Sequence, residues 1–171
     1  MTTRGIGRVA FGWVVLFAAM HVYWALGGQF GFGDASRTTP AADSTGARVF
    51  TGVLAVMFVV GAVVPLALYQ RWGARIPAWP LVACSWIGGA LLALRGLSGL
   101  LDTLLRATGL AGKGLTGLTY EQELGDAHPT AYTRWSTSAI DLYFLIGGAL
   151  FCAVAVAFRR ARAGVEVTSF R

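Results

Sequence analysis

The chain has 171 residues, 56% of them hydrophobic and 13% charged, with a mean hydropathy of +0.61. A soluble domain of this size carries about 25% charged residues, so the deficit excludes an ordinary soluble fold. The net charge of +6 is no sign of nucleic-acid binding, because the basic residues are scattered over short connectors and form no basic helix face.

A bilayer core of ~30 Å takes about 20 apolar residues in helix, since lipid satisfies no exposed backbone group. Four stretches meet that demand, at about 9–28, 49–69, 80–105 and 138–158. They predict an all-α bundle of four transmembrane helices forming one membrane domain over 1–171. In the first stretch Trp13, Tyr23 and Trp24 sit near the two ends, as an aromatic belt does. A cleaved signal peptide is the alternative there, with Arg4 and Arg8 before the apolar run and Ala25-Leu26-Gly27 as a cleavage site. The length of the run favours a retained span. Pro65 falls near the end of the second helix, where a kink is tolerated.

The connectors set the orientation. The first, from Gln29 to Arg48, is rich in Gly, Ser, Thr, Asp and Pro and reads as flexible. The second is a tight turn carrying Arg71 and Arg75. The third, Arg106 to Thr137, holds Leu110, Leu115, Leu118, Tyr120 and Leu124, which suggests a segment capping the bundle or lying on the membrane. Arg4, Arg8, Arg71, Arg75, Arg159, Arg160, Arg162 and Arg171 share one side with a single acid, Glu166. The other side balances Arg37, Arg48, Arg106, Lys113 and Arg134 against Asp34, Asp43, Glu121, Glu123 and Asp126. The basic excess marks the cytoplasm, so a multi-pass protein of the cell membrane with both termini in the cytoplasm is expected.

Several motifs fail on context. Gly112 to Gly117 matches GxGxxG, but the dinucleotide turn requires a strand before it and a helix after it. A phosphate loop would need glycine at Ala107 and a hydroxyl residue at Gly114. Cys84 and Cys152 lie in apolar stretches without CxxC spacing and read as packing residues. His21 and His128 allow no more than one bis-histidine pair, so neither metal nor cofactor is expected. Gly89 and Ala93, with Ala149, Ala153 and Ala157, form small-residue faces for close helix packing.

Polar residues within spans cost roughly 2.5–3.5 kcal/mol each for Arg or Asp at mid-membrane, which makes them candidates for function. His21 and Arg95 fall ~4 Å to the outer side of the midplane, Asp102 lies roughly 10 Å further out than Arg95, and Asp141 lies about 10 Å outward of its own span's centre. Arg95 and Asp102, seven residues apart, share a helix face with Ser98 between them. A guanidinium at Arg95 reaches either Asp102 or Asp141. With Tyr23 and Trp24 beside His21, these residues define a candidate ligand-binding cluster at the outer leaflet.

The stretch His21-Val22-Tyr23-Trp24-Ala25-Leu26-Gly27-Gly28 resembles an uncharacterised family of small four-helix bacterial membrane proteins, a domain of unknown function frequent in actinobacteria. Its first helix ends in a similar His-x-Tyr-Trp-Ala-x-Gly-Gly stretch. Arg134-Trp135, Asp141-Leu142-Tyr143 and Gly147-Gly148 are similar to the start of its last helix, although Ser136 and Phe144-Leu145 stand where Asp and Ser-Pro are usual. The resemblance implies four crossings and adds weight to His21, and it supplies no activity.

Three functions follow as expectations. The first is binding of a lipid or small polar ligand at the cluster, with membrane lipids as partners. The second is a lipid or isoprenoid enzyme with His21 as acid/base. The third is an accessory subunit of a larger complex, or a homo-oligomer, docked through small-residue faces.

Overall fold

The computed structural model describes residues 3–31 and 45–169. Five helices follow in order: α1 (Thr3–Ala25), α2 (Thr45–Tyr69), α3 (Ala78–Ala107), the short α4 (Tyr120–Leu124) and α5 (Ala131–Ser169). A 3-10 turn, Arg71–Arg75, joins α2 to α3, and no strand occurs among the described residues. Four of the helices are long and apolar enough to cross a membrane, over Arg4–Ala25, Thr51–Tyr69, Ala78–Ala107 and Ala131–Ala161. The fold is therefore the all-α four-helix transmembrane bundle that the hydropathy requires.

The pairs α1–α2, α3–α5 and α1–α5 run antiparallel, and α2 runs parallel to α5. Gly7 of α1 meets Tyr69 of α2 while Phe17 meets Phe58, and Gly89 of α3 meets Cys152 of α5 while Gly99 meets Asp141. The start of α1 and the end of α5 thus share one end of the bundle, the terminal end. Opposite is the cap end, formed by the segment between α3 and α5.

The interior is layered. Near the terminal end Ala10, Val64, Ala67, Leu68, Leu81 and Val154 form a buried apolar core. Next comes an aromatic layer, in which Trp13 stacks on Tyr143 and Phe17 and meets Phe151 edge-on. Trp13 Nε1 donates to the Tyr143 carbonyl (3.2 Å), and the Tyr143 hydroxyl donates to the Trp13 carbonyl (2.5 Å), which ties α1 to α5 at mid-bundle. Trp13 is therefore an interior residue and no part of an aromatic belt. The cap end is polar.

Glycines set the tightest helix pair, α3 on α5. A Cβ on Gly96 would lie 2.5 Å from the Asp141 carbonyl oxygen, and one on Gly148 2.6 Å from the Ala93 nitrogen. Without strong hydrophobic attraction between helices in lipid, such close backbone approach drives association. The seam on α5 runs through Asp141, Gly148 and Cys152, and Ala149 is exposed instead of packed.

The outer surface suits lipid. Val53, Val56, Val59 and Val60 of α2 and Leu94, Leu97, Leu101 and Leu104 of α3 are exposed. Trp79 (75% exposed) stands near the terminal end and Trp135 (76%) near the cap end. From the α3–α5 register, Trp135 lies near the level of Leu104, about 25 residues or ~37 Å from Trp79. That separation matches a ~30 Å hydrocarbon core plus part of its interfaces.

Helix limits differ from hydropathy in instructive ways. The first span ends at Ala25, three residues before the expected limit, in a Schellman turn: Gly27 takes φ 91°, its N–H bonds to the Trp24 carbonyl, and the Gly28 N–H bonds to the Tyr23 carbonyl. The fourth starts at Ala131, seven residues early, where the Thr133 N–H donates to the Thr130 hydroxyl in an N-cap. Residues 32–44 of the expected flexible connector, with Asp34, Arg37 and Asp43, lie outside the described residues, as do Arg171 and the side chains of Arg162 and Glu166.

Candidate functional site

At the cap end, α3, α5 and the segment between them enclose a cavity of about 350 Å³. Its α3 wall carries Arg95, Ser98, Gly99, Asp102 and Thr103, and its α5 wall Arg134, Thr137 and Asp141. Leu115, Thr116, Tyr120, Glu123 and Leu124 close it from the cap.

The deepest feature is an ion pair across the seam. Arg95 Nη1 donates to Asp141 Oδ1 at 2.5 Å. The Asp141 side chain is 1% exposed and that of Arg95 52%. Gly99 makes the burial of Asp141 possible, because a Cβ there would collide with the carboxylate. The Arg95 guanidinium also lies 5.4 Å from the centre of the Phe144 ring.

A second network holds the cap. Arg106 Nε donates to Asp102 Oδ2 (2.6 Å), one turn back on α3, and Arg106 Nη2 donates to Glu123 Oε2 of α4 (2.7 Å). The Leu115 N–H donates to Asp102 Oδ1 at 2.6 Å. Tyr120 covers the guanidinium at 4.5 Å, while Arg106 Nη1 is buried with no hydrogen-bond partner. Helix α4 itself is framed by a Thr119/Gln122 capping box and by Gly125 at φ 74°. The cap is thus fastened to α3 at three points. The glycines of the GxGxxG match belong to this cap: Gly114 (φ 60°) packs on Asp102 and Arg106, and no strand precedes it.

Of the six residues singled out from sequence, Arg95, Asp102 and Asp141 line the cavity. Arg95 takes Asp141 as its partner and leaves Asp102 to Arg106. The other three lie apart from the cavity walls. His21 Nδ1 is 3.0 Å from the Phe17 carbonyl oxygen, and the ring packs against Phe17, Trp24 and Phe58. Tyr23 and Trp24 clamp the turn that follows α1: the Phe30 N–H donates to the Tyr23 hydroxyl, and Trp24 Nε1 donates to the Phe30 carbonyl at 2.8 Å. An aromatic chain connects the two regions, since Phe17 touches both His21 and Phe144, on which Arg95 rests.

The motif His21 to Gly28 accordingly has a structural reading as a helix end with its clamp. The chain belongs to the DUF3995 family. That family is described as proteins of unknown function, and its model matches residues 14–151. The DUF3995 match takes in every wall of the cavity and the whole His21–Gly28 turn, and it stops short of the last turns of α5. No curated protein and no solved structure matches the chain.

Arg106, Glu123, Tyr120 and Arg134 complete the site and escaped the sequence reading, which placed them in a connector. One signal was present: Asp102 and Arg106 stand at i, i+4, the spacing of a helical ion pair.

Proposed function

We propose that this DUF3995 chain is a multi-pass protein of the cytoplasmic membrane, both termini in the cytoplasm, that holds a lipid headgroup or small polar ligand in its cap-end cavity. The observation that carries this reading is the cavity itself, whose charged walls sit at the end of an otherwise apolar bundle. Intramembrane ionisable groups are costly, and they gather here at one concave site.

Orientation is supported by charge. Arg4, Arg8, Arg71, Arg75, Arg159 and Arg160 collect at the terminal end, while the cap end mixes Arg106, Lys113 and Arg134 with Glu121, Glu123 and Asp126. A basic excess on short segments favours the cytoplasm, which makes the cavity face outward. Acid/base chemistry at His21 draws no support from the aromatic surroundings of that ring.

The test is native mass spectrometry of the chain purified from its own membranes in a mild nonionic detergent. The wild type is expected to carry a discrete adduct. Ser98→Phe, which adds a large ring to the cavity wall while keeping both residues of the Arg95–Asp141 pair, is expected to remain monodisperse and lose the adduct. A wild-type chain without any adduct, or a Ser98→Phe chain that keeps it, overturns the reading.

A further inference from the structure

The carboxylates of the cavity are already engaged. Arg95 holds Asp141, and Arg106 holds both Asp102 and Glu123 from a side chain 2% exposed. What remains is cationic. Arg134 lines the cavity and makes no ion pair among the described residues. Arg95 gives Asp141 one N–H of its fork and keeps half its side chain exposed. Arg134, Thr137 and Asp141 stand at i, i+3 and i+7, so they share one face of α5, with Arg134 ~10 Å nearer the cap end than Asp141. Two guanidiniums therefore address one cavity from two depths.

A guanidinium fork suits an oxyanion with several acceptor atoms, and phosphate oxygens fit it in pairs. We propose that the cavity binds the phosphoryl group of an amphiphile, with Arg134 as its main contact and Arg95 as the second. The proposal rests on the reading of the cavity as a ligand site and names the ligand's chemistry. A volume of about 350 Å³ sits near the lower end of ligand pockets, ~300–1,000 Å³, and so takes a headgroup without its chains. The chains have a surface to lie on. Leu94 and Leu101 are exposed on α3 beside the cavity-lining Arg95, Ser98 and Asp102, and Trp135 and Leu142 are exposed on α5 beside Arg134 and Asp141. Inorganic phosphate offers the same chemistry without the chains.

Isothermal titration of the purified full chain in nonionic detergent separates these cases. The probes are a short-chain phosphatidylglycerol, the diacylglycerol of the same chains, and inorganic phosphate. The phospholipid is expected to bind at least tenfold more tightly than either of the others. Arg134→Gln is expected to erase its advantage over the diacylglycerol, whereas Arg160→Gln, an exposed arginine at the terminal end, is expected to keep it. Equal binding of both lipids, unchanged in Arg134→Gln, overturns the phosphoryl assignment and leaves the cavity a ligand site. Inorganic phosphate binding as tightly as the phospholipid overturns the amphiphile. An equal loss in Arg160→Gln shows diffuse charge attraction and overturns the role of Arg134. A wild type that binds none of the three overturns both this proposal and the reading beneath it.

Discussion

Asp141 and Arg95 are unequal partners, and the inequality decides what each substitution does. Asp141 is packed against α3 at Gly96 and Gly99, and its side chain is 1% exposed. Arg95 is half exposed and rests on Phe144, so it can re-orient. Breaking a buried pair by removing one partner costs ~3–5 kcal/mol when a charge is left stranded. Arg95→Ala is therefore expected to destabilise the chain toward the lower end of that range, because its own half-exposed charge contributes less. Asp141→Asn should cost less, and the double variant should recover much of the loss from Arg95→Ala. Denaturant unfolding of the purified variants measures all three, and equal losses for the two single variants would sink the argument. The pair was partly legible beforehand, since an arginine at mid-span demands a partner and Asp141 lay at a compatible depth. The choice of Asp141 over Asp102 was not legible. It depends on Arg106 and the Leu115 N–H occupying Asp102, and both lie beyond the hydrophobic stretch that defines the span.

The same seam can be tested at the scale of the helix. Adding a methyl at Gly96 sets it against backbone atoms of α5, the Asp141 carbonyl and the Leu145 nitrogen, and neither can rotate away. Gly96→Ala is expected to cost about 1–3 kcal/mol, as overpacking does. Gly12→Ala is the matched control: nothing lies within 4 Å of its added methyl, and a helical glycine replaced by alanine gains roughly 0.5–1 kcal/mol. Thermal unfolding of the two variants in detergent should shift in opposite directions, and a harmless Gly96→Ala would show that α3 and α5 are not held by close contact. Helix existence was readable because the bilayer requires long apolar runs, and helix ends were not. The first turns of α5 carry Thr133, Arg134, Ser136 and Thr137, which hydropathy assigns to a loop. In the structure Thr137 and Ser138 donate back to the carbonyls of Thr133 and Arg134, so their hydroxyls add little polarity and the helix extends. The α3–α5 seam was half visible, with Gly89 and Ala93 on α3 matched by Gly148 and Cys152 on α5 in place of the alanine row.

For the molecule as a whole, the antiparallel bundle and the proposed orientation make a single statement about sides. A cysteine introduced at Gly112 in the cap, with Cys84 and Cys152 changed to serine, is expected to react with a membrane-impermeant maleimide in intact cells. One introduced at Gln70, beside the 3-10 turn, is expected to react after lysis alone. The reverse pattern would invert the topology and turn the cavity toward the cytoplasm.

The reach of the Arg95–Asp141 pair along the chain has a consequence for biogenesis. The partners are 46 residues apart, on the third and fourth of the long apolar helices. At ~5–20 residues per second, ribosomes take roughly 2–9 s to make that interval, so α3 is complete well before α5 exists to neutralise it. During this wait the arginine, at roughly 2.5–3.5 kcal/mol, is offset by leucines at about −0.3 to −0.6 kcal/mol each, among them Leu91, Leu92, Leu94, Leu97, Leu100, Leu101, Leu104 and Leu105. The excess of leucine on α3 thus lets a cationic segment enter the bilayer ahead of its counter-ion, and the fourth of the long apolar helices is the one that brings the counter-ion to it.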